Sequence, residues 1–429
     1  MREEEDTATQ SNGLRYNILF WSILCAFCTS FSFASYSLFL PAFIAEFHWA
    51  HGAAALPFSL AMVFWGVMQP VAGALADRRG TRPVILAGIL VSTLGFLTMG
   101  TAQSLWQIAL GFGVLIGTAN SACGSMIWAL LIAKWFPGAR RGAAVGILQA
   151  ATPASPLVLA PILFVIMAQY GWRAASWFLG LVLLLIAFPL AYGLVKDPPA
   201  EAGTAHSATA GKQRGRVQDV LGLIRRGPLR NLMLSRVACG LSFFIIPHLA
   251  AAATAAGLTP AEGATAVALY GLASTVGALA GGLAADRWGR VPTLMATYGL
   301  RGLGALALAL PVMHAAWFYG AVVLAAGPIF ATVTINNVQL FEFVGPHRAG
   351  VVLGVSFVLH QVAAAVGPYA SGLAFDATGT YRVSFVVLGI VMLLALLPAA
   401  CTHPEGGDAA ARQGVPRGEG RTGAARLPR

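Results

Sequence analysis

The feature that most constrains this chain is a succession of twelve long apolar runs separated by short, mostly basic breaks. They cover 17–43, 53–76, 83–101, 105–133, 142–168, 173–195, 231–256, 263–285, 291–311, 315–340, 349–372 and 382–401. A helix needs about 20 predominantly apolar residues to cross a bilayer, and a bilayer interior admits only helices or closed barrels. These runs are too long and continuous for barrel strands, so the chain reads as an all-α integral membrane protein with twelve transmembrane helices. Composition agrees. Only 10% of the 429 residues are charged, against about 25% in a soluble domain, which excludes a soluble enzyme and a disordered protein. The net charge of +11 would suggest nucleic acid if it covered one face. Here it is confined to the breaks, and no nucleic-acid partner is expected. The five cysteines, Cys25, Cys28, Cys123, Cys239 and Cys401, lie in or beside apolar runs and are odd in number, so a disulfide framework is not expected. Cys25 and Cys28 read as two small packing residues.

Basic residues set the expected orientation. With the N-terminus inside, 23 of the 27 lysines and arginines fall in cytoplasmic segments. Arg173 and Arg382 fall outside, and Arg236 and Arg301 within runs. Both termini are therefore expected in the cytoplasm, which also requires an even number of spans. The first run is not a cleavable signal, because the acidic stretch Glu3–Asp6 precedes it and its apolar region is too long. The longest break, 196–229, is rich in Pro, Gly, Ser and basic residues and reads as a flexible linker. The expected organisation is thus a cytoplasmic segment 1–16, a six-helix half 17–195, the linker 196–229, a second six-helix half 230–401 and a disordered tail 402–429.

The halves echo each other. Gly73-Ala-Leu-Ala-Asp77-Arg78-Arg79-Gly80-Thr81-Arg82 follows the second run, and Gly282-Leu-Ala-Ala-Asp286-Arg287-Trp288-Gly289-Arg290 follows the eighth, with Asp and Gly both offset by 209. A second echo relates Arg141-Gly142 and Gly146 to Ala349-Gly350 and Gly354 at an offset of 208. Duplicated halves around a central path are a transporter architecture.

The loop G-x-L-A-D-R-x-G-x-R resembles the signature of the major facilitator superfamily, complete in the first half and degraded in the second. Tyr170-Gly171-Trp172-Arg173 is a further familiar feature. The resemblance spans roughly 17–401 and implies two pseudo-symmetric six-helix halves. Met68-Gln69-Pro70, Lys134-Trp135-Phe136-Pro137, His360-Gln361 with Gly367, and Phe375-Asp376-x-Thr378-Gly379-x-Tyr381 are similar to the oxalate–formate antiporter and monocarboxylate porter branch. That implies transport of a small organic anion across the inner membrane of a bacterium, by a protein expected to act as a monomer among lipids. It also implies a gating role for Gly73, Asp77, Arg78, Gly80, Asp286 and Arg287, whose exposed ion pairs are weak enough, about 0–1 kcal/mol, for a reversible switch. The competing reading is that Asp77 and Arg78 only fix the turn and the topology.

All sixteen acidic residues lie in breaks, tails or run ends. The ionisable residues inside runs are Arg236, His248, Arg301 and His360, and such residues are costly enough to be functional candidates. A positive interior without carboxylates favours an anionic passenger. His360 lies about twelve residues, roughly 18 Å, into the eleventh run. In carboxylate porters of the resembled branch a basic residue there meets substrate; a neutral histidine satisfied by a helix partner is the alternative. Gln361 faces about 100° away and need not share the path. Arg236 is only about 9 Å into the seventh run, shallow enough to snorkel. His248 is placed on the outer half of the path, and Arg301 on a scaffold helix, bonded to carbonyls or a neighbour. The eighth run lacks the carboxylate-binding arginine of the characterised porters and carries Tyr270, Ser274 and Thr275 instead. Tyr36, Asn120, Asn336 and Asn337 complete the candidates, with interhelical hydrogen bonding as their competing role. Gly111, Gly113 and Gly117 read as close helix packing rather than a nucleotide loop. No cofactor, metal or catalytic motif is expected. An exporter of hydrophobic or neutral metabolites is the first alternative, and a non-transporting membrane sensor the second.

Overall fold

The computed structural model describes residues 2–136, 140–198, 227–311, 314–344 and 346–402, without the side chains of 2–12 and 346–350. Most of the expected linker (199–226), the tail (403–429), Pro137 and the side chains of Arg348 and Ala349 therefore lie outside the described residues. Among the described residues there is no β-strand. Ten stretches are long and apolar enough to cross a membrane. One, Arg140–Leu194, has 55 residues and reverses at Gly171, so it forms two helices. With Arg290–Ala309, which carries the buried Arg301, the total among the described residues is twelve.

In chain order these are α1 (Arg2–Phe47), α2 (His51–Arg79), α3 (Thr81–Gly100) and α4 (Leu105–Trp135). Helices α5 and α6 are the two arms of Arg140–Leu194. The second half comprises α7 (Gly227–Ala255), α8 (Pro260–Trp288), α9 (Arg290–Ala309), α10 (Ala315–Val344), α11 (Pro346–Thr378) and α12 (Arg382–Ala400). Large apolar side chains such as Val67, Leu185, Leu303 and Val387 are exposed around the outside. Such a mantle suits lipid rather than water.

The repeat seen in the sequence reappears in the backbone. Gly80 between α2 and α3 has φ 90 and ψ 162, and Gly289 between α8 and α9 has φ 88 and ψ 159. Positive φ strongly favours glycine, so each signature loop places one where the chain reverses. Gly171 and Gly379, 208 residues apart, form a second such pair. Within a half, lipid offers no hydrophobic drive between helices, and association relies on close packing. The α4 glycines supply it: a Cβ on Gly111 would lie 2.8 Å from the Gly95 carbonyl of α3, and one on Gly117 would lie 2.7 Å from Ala61 of α2.

The halves meet along α1–α7, α2–α11 and α5–α8. Ala250 of α7 donates its N–H to Ser37 Oγ of α1 at 3.0 Å. Gly372 of α11 packs on the backbone of His51 and Gly52 at the start of α2, and Gly271 of α8 on Pro153 and Leu157 of α5. At the end bearing Arg78, Arg79 and Arg287, here called the basic end, the halves stand apart. Gly73, Gly142, Gly146 and Gly282 have nothing within 4 Å of an added Cβ. The opposite end is closed.

Candidate functional site

A cavity of about 850 Å³ lies between the halves. Its lining includes Ser30 and Phe33 of α1, Met62 and Trp65 of α2, Asn120 of α4, and Gln149 and Thr152 of α5. From the second half come Arg236 and Phe243 of α7, Tyr270 and Asp286 of α8, Asn337 of α10, and Phe357, His360 and Gln361 of α11. Of the eight candidate binding residues, the cavity brings together His360, Arg236, Asn120, Tyr270 and Asn337.

Two buried nitrogens on residues that line this cavity lack hydrogen-bond partners. The imidazole Nδ1 of His360 is 2.9 Å from Gln361 Oε1. An amide oxygen only accepts, so Nδ1 carries the proton. Nε2 of His360 is buried and has no hydrogen-bond partner. Arg236 is only 2% exposed, so it does not snorkel. One guanidinium N–H reaches the Val333 carbonyl at 3.4 Å, while its Nε is buried without a partner. No ion pair among the described residues involves it. A buried cation lacking an anionic partner costs several kcal/mol, and an anion in the cavity offsets that cost. Gly240, one turn beyond Arg236, packs against the His360 carbonyl, which sets the two groups at neighbouring depths. Gln361 corrects its expected position. It lines the same cavity as His360 because its long side chain folds back to bond the imidazole.

Three candidates are elsewhere. His248 is fully buried toward the closed end: Nε2–H donates to the Pro368 carbonyl at 2.9 Å, so Nδ1 accepts from the Tyr381 hydroxyl at 3.0 Å. Both nitrogens are satisfied, and it ties α7 to α11 outside the cavity open in this state. Tyr36 donates to the Ala54 carbonyl at 2.6 Å and packs 4.4 Å from the ring of Phe112. Asn336 turns away from the cavity, its Nδ2 donating to the Thr332 carbonyl at 2.9 Å and its Oδ1 accepting from Ser235 at 3.0 Å. Arg301 is a scaffold residue, bonded to Ser242 and to Cys239 Sγ at 3.5 Å.

At the basic end Asp77, Arg78 and Arg287 are exposed, and Asp77 has no hydrogen bond or ion pair among the described residues. Asp286 lies at the cavity mouth. The first signature loop is held by Asp197 at the end of α6, which the sequence reading did not single out. It accepts from Thr81 N–H at 3.0 Å, Thr81 Oγ1–H at 2.6 Å and Arg82 N–H at 3.0 Å. This caps the N-terminus of α3, where orphan N–H groups and the helix dipole favour an anion.

The closed end carries a second such acid. Asp376 of α11 accepts from His51 N–H at 2.7 Å and Gly52 N–H at 2.9 Å, and lies 3.4 Å from His51 Nδ1. It caps α2 across the seam between the halves. The Trp172-Arg173 feature has a role within one half. Trp172 Nε1–H donates to Glu46 of α1 at 2.5 Å, and Arg173 pairs with the same carboxylate at 2.6 Å.

The family model for the Major Facilitator Superfamily matches residues 22–368 and 232–421. Monocarboxylate transporter 11 of Mus musculus is 30% identical over 404 residues, covering 89% of this chain and 83% of that protein. The uncharacterized MFS-type transporter YcxA of Bacillus subtilis (strain 168) is 26% identical over 376 residues, covering 85% of this chain and 90% of its own. Among solved structures, the partially occluded inward open conformation of the xylose transporter XylE from E. coli matches with a TM-score of 0.70 at 13% identity. That match covers 90% of this chain and 97% of the other. The chain belongs to the major facilitator superfamily. It is an integral membrane transporter of a small molecule.

Proposed function

We propose that this transporter carries a small organic anion, a monocarboxylate, by alternating access, with a proton taken up on His360. The observation that carries the reading is the pair of unpartnered nitrogens, Arg236 Nε and His360 Nε2, in one cavity. The name of the mouse relative points the same way. Arg236 on α7 supplies the cation that the eighth helix lacks. Because Nδ1 of His360 is committed to Gln361, the neutral ring leaves a bare lone pair on the buried Nε2, which repels a carboxylate. The imidazolium carries an N–H there, which binds one through a charge-assisted hydrogen bond. Anion and proton therefore bind together, and their joint uptake leaves the net charge of the site at the single positive charge of Arg236.

The basic end is read as cytoplasmic, by the lysine and arginine bias, with both termini on that side in a bacterial inner membrane. Rocking of the halves 17–195 and 230–401 then closes the basic end and opens the other. Asp77 and Asp286, exposed here, are the carboxylates proposed to pair with arginines of the facing half when the basic ends meet, with the Asp376 cap released.

The test is uptake of labelled carboxylates into proteoliposomes, with and without an inward proton gradient, against the corresponding amides. Gradient-driven uptake of the acid, absent for the amide and lost in Arg236→Gln, is the expected result. Equal handling of acid and amide rejects the anion reading in favour of a neutral passenger.

A further inference from the structure

We propose that the carboxylate passenger bears an aryl group, held on an aromatic wall beside the cations; this rests on the anion reading above and narrows it. The first observation is the wall itself. Phe33, Trp65 and Phe357 all line the cavity. The rings of Phe33 and Trp65 are 5.0 Å apart and inclined by 31°. Phe357 meets Trp65 edge-on at 5.7 Å and 72°. The wall thus joins α1 and α2 of one half to α11 of the other.

Its polar edge is already occupied. Trp65 Nε1–H donates to Gln69 Oε1 at 3.0 Å, so what the indole offers the cavity is its apolar face. The wall is also braced from behind, because Phe33 packs edge-on against Phe58 at 5.6 Å and Phe112 at 6.0 Å. Rings supported in this way present a fixed surface rather than a collapsible one.

The second observation is depth. Trp65 adjoins Gly66, whose added Cβ would lie 2.9 Å from Gln361 Cβ, so the wall stands at the level of Gln361 and His360. Phe357 is three residues before His360 and shares its helix face. A carboxylate on His360 and Arg236 therefore has aromatic surface within one helical turn, about 5.4 Å.

The third observation is size. The cavity is about 850 Å³, within the roughly 300–1,000 Å³ typical of sites for drug-sized ligands. A two- or three-carbon acid occupies only a few water volumes of about 30 Å³ each. It would leave the wall wetted and unused. An aryl acid places its charge on the cations and its ring on the wall, where aromatic pairs gain attraction beyond simple area burial.

The experiment compares propionate, 3-phenylpropionate and 3-phenylpropionamide as competitors of labelled 3-phenylpropionate uptake, and as ligands in thermal-shift titrations of the full-length purified chain. Wild type and two single variants, Trp65→Leu and Phe357→Leu, are measured. Half-saturation at roughly tenfold or lower concentration for 3-phenylpropionate than for propionate is expected, with most of that ratio lost in either variant while propionate binding changes little. Equal half-saturation for the two acids overturns the aryl inference and leaves the anion reading standing. An undiminished ratio in both variants also overturns it, because the ring would then sit elsewhere. If one variant does not fold, the other decides. If the amide matches the phenyl acid, the anion reading itself fails, and absence of saturable binding by either acid overturns both.

Discussion

Replacing Gly372 by alanine tests whether the closed end is one state of a two-state carrier. A Cβ on Gly372 would lie 2.6 Å from Gly52 Cα and 2.6 Å from the His51 carbonyl oxygen, where optimal contact between carbons is about 3.5–4.0 Å. These are backbone atoms in the first turn of α2, so no rotamer change relieves the clash. Either α2 and α11 part by about an ångström at this end, or the closed state bears overpacking of roughly 1–3 kcal/mol. Parting also stretches the bonds from His51 N–H and Gly52 N–H to Asp376, one turn along α11. In the alternate state, with this end open, the added methyl meets no partner across the seam. The equilibrium therefore shifts toward that state by about 5- to 150-fold. Spin labels at Ala50 and Ala255, both exposed at the closed end, report the change as a longer distance population in a variant with Cys401 replaced. Gly299→Ala on the scaffold helix α9 is the control, since a Cβ there meets nothing within 4 Å. If Gly372→Ala keeps the wild-type distance distribution, or behaves like Gly299→Ala, the seam is not the element that moves.

Three further outcomes are expected. Above the titration range of His360, carboxylate affinity falls about tenfold per pH unit, or 1.36 kcal/mol, as the imidazolium is depleted; His360→Ala removes that slope in affinity measured from about pH 5 to 8, and a slope retained in the variant rejects His360 as the proton site. Asp77→Asn slows turnover in proteoliposomes several-fold while leaving substrate affinity within about twofold, and an unchanged turnover number rejects the gating role. Glu46→Gln lowers the melting temperature of the purified chain, because Trp172 and Arg173 lose a shared carboxylate, with a cost of about 1 kcal/mol for a pair exposed by 36% and 39%; a melting temperature equal to wild type refutes the clamp.

The fold was legible because membrane helices announce themselves by length and apolarity, and because the duplicated loops sit at offsets of 208 and 209 residues. The positive-φ pairs at Gly80 and Gly289, and at Gly171 and Gly379, are the backbone form of that repeat. Arg236 and His360 were legible for another reason, since ionisable groups in apolar runs are too costly to be incidental. The azimuth of each side chain was not. In helices covered by protein on one side and lipid on the other, both faces are apolar, so periodicity hardly distinguishes them. Tyr36, His248 and Asn336, path candidates by sequence, therefore bond to neighbouring helices outside the cavity seen here. The carboxylates that cap other helices were hidden by distance along the chain. Asp197 acts on Thr81, 116 residues away, and Asp376 on His51, 325 residues away.

The position of Gln361 gives the proposed coupling a short physical route. A ligand shifts a conformational equilibrium only through contacts that differ between the two states, and here one side chain belongs to both the cavity and the seam. Its Oε1 accepts from His360 Nδ1 at 2.9 Å. Its Cβ fills the space left by Gly66 of α2, and its Nε2–H points to Met62 Sδ of α2 at 3.9 Å. A methionine sulfur is a weak acceptor, so this last contact is easily given up when α2 and α11 separate. Protonating His360 strengthens the bond to Oε1 and draws an anion to Nε2, both within one residue of the seam. No relay across the protein is required, because the group that gains the charge and the helix pair that must part are already in contact.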